Sequence, residues 1–269
     1  MIKFLAGFII AAVLVVGGAY WALGRWLPSA EEIKGCLITK MYEVNLCPGS
    51  KSYVSLKQIS PYLQKTVVLT EDSSFFQHRG FDWQSIEKNA REGWETGIFK
   101  KGGSTISQQL AKNMFLSKDR TFIRKGREAL ITYRIEKTLS KKEILERYLN
   151  VIEFGKDLYG VKAAANFYFQ KSPADLSILE SAFLAMLLPN PKKYSTSFHK
   201  KELTEFAHKR IGQIIDNMYQ YKRINDEEYL VATQELQNFL SPAPSYTTEE
   251  ESAPLDEATP IEENEDSFF

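Results

Sequence analysis

At three helix starts along this chain a hydroxyl residue stands three positions ahead of a Glu or Gln and opens an apolar-patterned run. The pairs are Thr105 with Gln108, Ser140 with Glu143, and Ser177 with Glu180. Each is the sequence form of a capping box, in which the hydroxyl accepts a backbone N–H of the first turn and the second side chain reaches back to the N-cap's own N–H. Ser60-Pro61 adds a fourth helix start, an N-cap followed by proline at the first helical position. The helix from Pro61 is predicted to end near Glu71. Further helices are predicted over Trp83–Trp94, Gly160–Phe169, Lys200–Tyr221 and Asp226–Leu240, and the one from Ser177 stops before Pro189. The helix from Ser140 runs to Ile152, with Ile144, Leu145, Tyr148, Leu149 and Ile152 on its core face and Gly155 as its stop. Only Tyr53–Leu56 reads as a strand. The body is therefore mainly α.

The two ends differ from this body. Phe4–Leu23 carries no charge and is long enough to span a bilayer as a helix, with Lys3 before it and Arg25 and Trp26 after it. A cleaved signal peptide competes with an uncleaved anchor, but no clear small-x-small site follows the run. Residues 241–269 hold nine acids and no Lys or Arg, and are rich in Pro, Ser and Thr, which predicts disorder. The net charge of +0 therefore hides a body, residues 1–240, at +9. A basic body suits an anionic partner such as a phosphate or a lipid headgroup. Cys36 and Cys47 lie just after the apolar run; a small disulfide loop and two separate thiols are both open. Three histidines and no Cys-x-x-Cys give no structural zinc pattern.

The residues that can do chemistry fall between Glu71 and Glu128. Glu71-Asp72 begins a polar, aromatic turn through Phe75, Phe76, His78 and Gly80, with the phenylalanines as packing. Gly102-Gly103-Ser104-Thr105 then leads into a helix on which Gln109, Lys112 and Asn113 share a face by their i, i+3, i+4 spacing. A solvated polar face is the plain alternative. Further on, Arg120, Arg124 and Glu128 recur every four residues, with Lys125 beside them. Several cations and one carboxylate on one face can clamp a pyrophosphate, or can be simple surface ion pairs. Met114–Ile123, with Phe115, Leu116, Phe122 and Ile123, reads as a segment able to touch lipid.

Laid end to end, these stretches resemble the peptidoglycan glycosyltransferase family, whose members polymerise lipid II alone or fused to penicillin-binding transpeptidases. Glu71 to Gly80 matches Glu-Asp-x-x-Phe-x-x-His-x-Gly, and Gly102 to Asn113 matches Gly-x-Ser-Thr-Ile-x-Gln-Gln-x-x-Lys-Asn. Arg124-Lys125-Gly126-Arg127-Glu128 is the third motif. Lys141 to Asn150 is the fourth, with Lys141 or Lys142 in the lysine place, and Gly160 to Phe169 is the fifth. Thr132-Tyr133-Arg134 departs from the small or apolar residues usual after the third motif, which puts the local packing in question. No Ser-x-x-Lys transpeptidase domain is expected after these motifs, so the chain looks monofunctional.

The resemblance implies a lysozyme-like helical glycosyltransferase domain over residues 55–240, behind one N-terminal transmembrane helix in residues 1–26. Residues 27–54 become a juxtamembrane linker and 241–269 an acidic tail. It implies Glu71 as general base and Glu128 as the second acid. Gln109, Lys112, Arg120, Arg124 and Lys125 would hold the lipid-linked pyrophosphate donor, and Asp72, His78, Ser104 and Asn113 would support them. Glu146 and Asn150 read as structural. The substrates implied are lipid II and a lipid-linked glycan, with the membrane and cell-wall synthesis proteins as partners and no nucleic acid. The resemblance has no dedicated metal residues, though a divalent cation, Mg or Mn, can accompany the pyrophosphate. It places the catalytic domain on the outer face of the cytoplasmic membrane. Two other readings stay open: a lysozyme-like muralytic enzyme that cuts glycan with Glu71 as acid, and a non-catalytic membrane scaffold.

Overall fold

The computed structural model describes residue 18 and residues 27–97, 103–119, 121–199 and 202–240. The apolar run Phe4–Leu23 (Gly18 apart), Arg120 and the acidic tail lie outside these residues. Among the described residues no helix is long and apolar enough to cross a membrane.

The body is helical. Its main helices are α1 (Ala30–Lys34), α2 (Pro61–Glu71), α3 (Trp83–Thr96), α4 (Ile106–Phe115), α5 (Phe122–Thr138), α6 (Lys141–Val151), α7 (Val161–Phe169) and α8 (Ile178–Leu187). Two single turns follow, α9 (Pro191–Tyr194) and α10 (Thr196–His199), then α11 (Glu205–Gln220) and α12 (Asp226–Leu236). All three capping boxes form as the sequence implies, at Thr105, Ser140 and Ser177, and Ser60 caps α2.

Every residue of α8 is buried. A helix apolar on all sides has to be enclosed, and α8 is: α2, α11 and α12 pack around it. A second group forms where α4 packs on α5 and α6. The end of α2 meets the start of α4, where Asp72 Oδ2 accepts the N–H of Ile106 at 2.9 Å.

The strands fall elsewhere than expected. Two short antiparallel hairpins occur, β1 (Leu37–Ile38) with β2 (Asn45–Leu46), and β3 (Glu153–Gly155) with β4 (Leu158–Tyr159). Tyr53–Leu56 is not a strand. Its backbone groups pair with side chains of α6 instead: Val54 N–H donates to Asn150 Oδ1 at 2.9 Å, Asn150 Nδ2 donates back to Val54 O at 2.8 Å, and Leu56 N–H donates to Glu146 Oε2 at 2.7 Å. Those bonds give Glu146 and Asn150 a structural task. Gly155 does not stop α6, which ends at Val151; it sits in β3. Gly160 is the glycine the turn requires, at φ +80°, where a Cβ would meet Asn150 O at 2.7 Å.

Residues 27–54 are folded onto the body rather than extended. Cys36 and Cys47 are joined by a disulfide that closes the β1–β2 hairpin. Ile33 and Leu46 enter the core. Lys40 and Met41 donate their N–H groups to Met114 O and Asn113 O at the end of α4, and the Arg147 guanidinium donates to Lys34 O.

Candidate active site

Glu71 is the last residue of α2 and is partly buried. Burial raises its pKa. The hydrogen bond from Gln109 opposes that rise, Arg210 and Lys112 oppose it through their charge, and Asp72 adds to it. The Gln109 amide donates from Nε2 to Glu71 Oε2 at 2.9 Å. Its carbonyl end accepts the hydroxyl of Tyr148 at 3.1 Å.

Asp72, next in the chain, is buried and faces the other way. Its Oδ1 lies 2.8 Å from His78 Nε2, and its Oδ2 accepts the N–H of Ile106 at 2.9 Å. Because Gly80 N–H donates to His78 Nδ1 at 3.1 Å, the ring proton sits on Nε2 and points at Asp72. Thr105 Oγ1 donates to Gly80 O at 2.6 Å. The loop after Glu71 is thus tied to the first turn of α4. Phe75 is fully buried beneath it, whereas Phe76 is exposed, so only part of the expected aromatic packing forms there.

On α4 the polar face is not a solvated one. Asn113 is buried and Lys112 partly so. Burial lowers the pKa of Lys112; Glu128 and Glu71 favour its charge, and Arg124 and Lys125 disfavour it. One ammonium therefore senses Glu71 of α2 together with Glu128, Arg124 and Lys125 of α5. Ser104 is exposed, and its carbonyl lies 3.5 Å from Gln109 Nε2.

On α5, Glu128 is 3% exposed. It pairs with Lys125 and lies 3.7 Å from Arg124. These are not bland surface pairs, because the shared carboxylate is buried. Thr132, one turn on, settles into the helix: its hydroxyl donates to Glu128 O at 2.7 Å and its methyl group packs against Gly80. Tyr133 beside it is exposed. The segment before α5 is divided. Met114 and Leu116 belong to the core and Phe115 packs against it, so Leu116 has no lipid-facing position; Phe122 and Ile123 are 98% and 73% exposed.

Two residues near Glu71 were not among the predicted site residues, Arg210 and Tyr148. Arg210 comes from an ordinary amphipathic helix, and no local pattern marks it. Tyr148 stands in the fourth motif and on the core face of its helix; its hydroxyl partner depends on how α6 packs against α4.

No group of three or more His, Cys, Asp or Glu able to hold a metal ion occurs among the described residues. Asp72 is committed to His78 and Ile106, and Glu128 to Lys125 and Arg124. A donor set so engaged does not fit a resident divalent ion.

A carboxylate held by an amide, facing cations gathered round a second carboxylate, is a transferase-like site for an anionic donor. The family model described as transglycosylase matches residues 39–219. The chain is 40% identical over 203 residues to the biosynthetic peptidoglycan transglycosylase of Methylobacillus flagellatus, covering 72% of this chain and 89% of that one. It is 40% identical over 195 residues to the protein of the same name from Acinetobacter baylyi, covering 70% and 87%. Among solved structures, penicillin-binding protein 1A from Haemophilus influenzae aligns with 29% identity over 48% of this chain and 15% of its own, at a TM-score of 0.29. The chain belongs to the transglycosylase family, and it is a glycosyltransferase of peptidoglycan synthesis.

Proposed function

We propose that this enzyme joins a lipid-pyrophosphate-linked glycan to the 4-hydroxyl of the N-acetylglucosamine of lipid II, with inversion at the anomeric carbon. Glu71 is the base: it takes the proton of the attacking hydroxyl as the new C–O bond forms. Such help is worth about 10²–10⁴-fold. A base needs a pKa near the working pH, and the burial that raises Glu71 moves it that way. The C1–O bond to the pyrophosphate breaks as the acceptor bond forms, and the electron pair leaves with the pyrophosphate. That leaving group carries its own charge, so it needs cations more than a proton. Lys112, Arg124 and Lys125 supply them, together with Arg120 as the family resemblance implies, and Glu128 holds Arg124 and Lys125 in place. No step is routed through a metal ion.

The observation that carries this reading is the Gln109–Glu71 hydrogen bond, which brings the carboxylate at the end of α2 to the helix α4 that carries Lys112. A lysozyme-like cutter has no use for that cation cluster. The disulfide between Cys36 and Cys47 supports an oxidising location, and Phe4–Leu23 supports a single-pass anchor, with the catalytic domain on the outer face of the cytoplasmic membrane. The exposure of Phe122 and Ile123 beside Arg124 and Lys125 supports a contact with the lipid interface. Incubating the purified chain with labelled lipid II tests the reading. Gel-resolved glycan chains are expected; soluble fragments released from finished cell walls, with no chains from lipid II, would contradict it.

A further inference from the structure

We infer that Tyr148 is a positioning residue for this reaction: its hydroxyl fixes the Gln109 amide in the one orientation that presents an N–H to Glu71. The inference rests on the reading of Glu71 as base. Tyr148 lies on α6, is 1% exposed, and packs where a phenylalanine would fill the same space. A hydroxyl buried so deeply requires a partner. Its partner is Gln109 Oε1, at 3.1 Å.

The consequence lies at the other end of the amide. With Oε1 taken by Tyr148, Nε2 faces Glu71 Oε2 at 2.9 Å and the Ser104 carbonyl at 3.5 Å. Turned over, the amide would set its own oxygen against a carboxylate and a carbonyl, acceptor against acceptor. That arrangement is tolerable only when Glu71 holds a proton. The tyrosine therefore favours the unprotonated carboxylate, the form able to take a proton from the acceptor.

The charged groups around Glu71 are Asp72 beside it, Lys112 from α4 and Arg210 from α11. The Gln109 carbonyl takes its hydrogen bond from Tyr148 and not from these groups, so their influence on Glu71 stays the same when the tyrosine hydroxyl is removed.

The experiment compares the full chain as wild type, Tyr148→Phe, Gln109→Ala and the double variant, each turning over lipid II across a range of pH. Tyr148→Phe is expected to lower kcat about tenfold, leave KM unchanged, and move the acid limb of the kcat/KM profile up by roughly one pH unit. In the Gln109→Ala background the same change is expected to leave the limb where it is. An unmoved limb in Tyr148→Phe, with or without a loss of rate, overturns the inference, as does a shift that persists in the double variant. A second readout needs no turnover: carboxyl ¹³C NMR titration of Glu71, assigned with Glu71→Gln, should give a higher midpoint in Tyr148→Phe than in wild type. If wild type makes no chains but the midpoint moves, the reading of the reaction fails and the positioning role stands. If wild type makes chains and neither midpoint nor limb moves, the positioning role alone fails.

Discussion

Asp72 accepts the N–H of Ile106 at 2.9 Å, so the residue next to Glu71 holds the first turn of the helix that carries Gln109 and Lys112. Chain neighbours thus divide two tasks. Glu71 faces the site, and Asp72 turns inward to His78 and α4. Two acids in sequence do not act here as a pair of acids.

Asp72→Asn keeps the shape but removes the charge on the acceptor of that N–H. Exchanging a charged acceptor for a neutral one weakens a hydrogen bond by about 1–1.5 kcal/mol. We expect the variant to unfold at lower urea concentration by about that amount, and to lose turnover because Gln109 and Lys112 move with the start of α4. Unchanged stability and turnover would show that the contact carries neither.

Glu71 has a pKa raised above its ordinary value of 4.5, mainly by burial. Between that value and the folded one, the folded chain keeps a proton that the unfolded chain has lost. Stability must therefore fall as pH rises through this window. Glu71→Gln has no charge to bury, so it should equal or trail wild type in acid and gain on it as pH rises, keeping the gain above the window. Urea midpoints of the two proteins from about pH 4 to about pH 8 check this. A gap between the two that does not change with pH would contradict the raised pKa.

The Cys36–Cys47 disulfide closes a short hairpin whose tip hydrogen-bonds to the end of α4. Closing a loop of that size is worth about 2–3 kcal/mol. Cys36→Ser with Cys47→Ser should lose that amount in urea unfolding, and reductant should then have no further effect. Equal stability of reduced and oxidised wild type would place the hairpin outside the cooperative unit.

Phe122 and Ile123 are exposed at the start of α5. Burying an apolar side chain of this size fully is worth about 1.5–3 kcal/mol. Changing both to Ser in the chain from residue 27 onward should weaken binding to anionic lipid vesicles at least about tenfold, as read by flotation. Unaltered flotation would remove these two residues from the membrane contact.

Much of this fold was legible because its signals are local. Capping boxes act within one turn, and all three formed where the sequence put them. Apolar spacing marked Ile144, Leu145, Tyr148 and Leu149 as core, and they are buried. The misses were non-local. Tyr53–Leu56 has strand-like residues, but whether it pairs with a strand or with Asn150 and Glu146 depends on a helix some ninety positions away. Leu116 sits in a run that looks lipid-facing, yet tertiary packing draws it into the core. At the site, spacing could set Gln109 and Lys112 on one face. It could not show that Tyr148 and Arg210 converge on Gln109 and Glu71, because those meetings depend on how α6 and α11 pack.

The central claim is that Glu71 takes the acceptor's proton. The direct test is polymerisation of purified lipid II by wild type and by Glu71→Gln, with both shown to be folded by circular dichroism. Glycan chains from wild type and a loss of at least about a hundredfold in the variant are expected. Chains formed at similar rates by both would contradict the account, leaving the reaction in place and the base to be sought elsewhere.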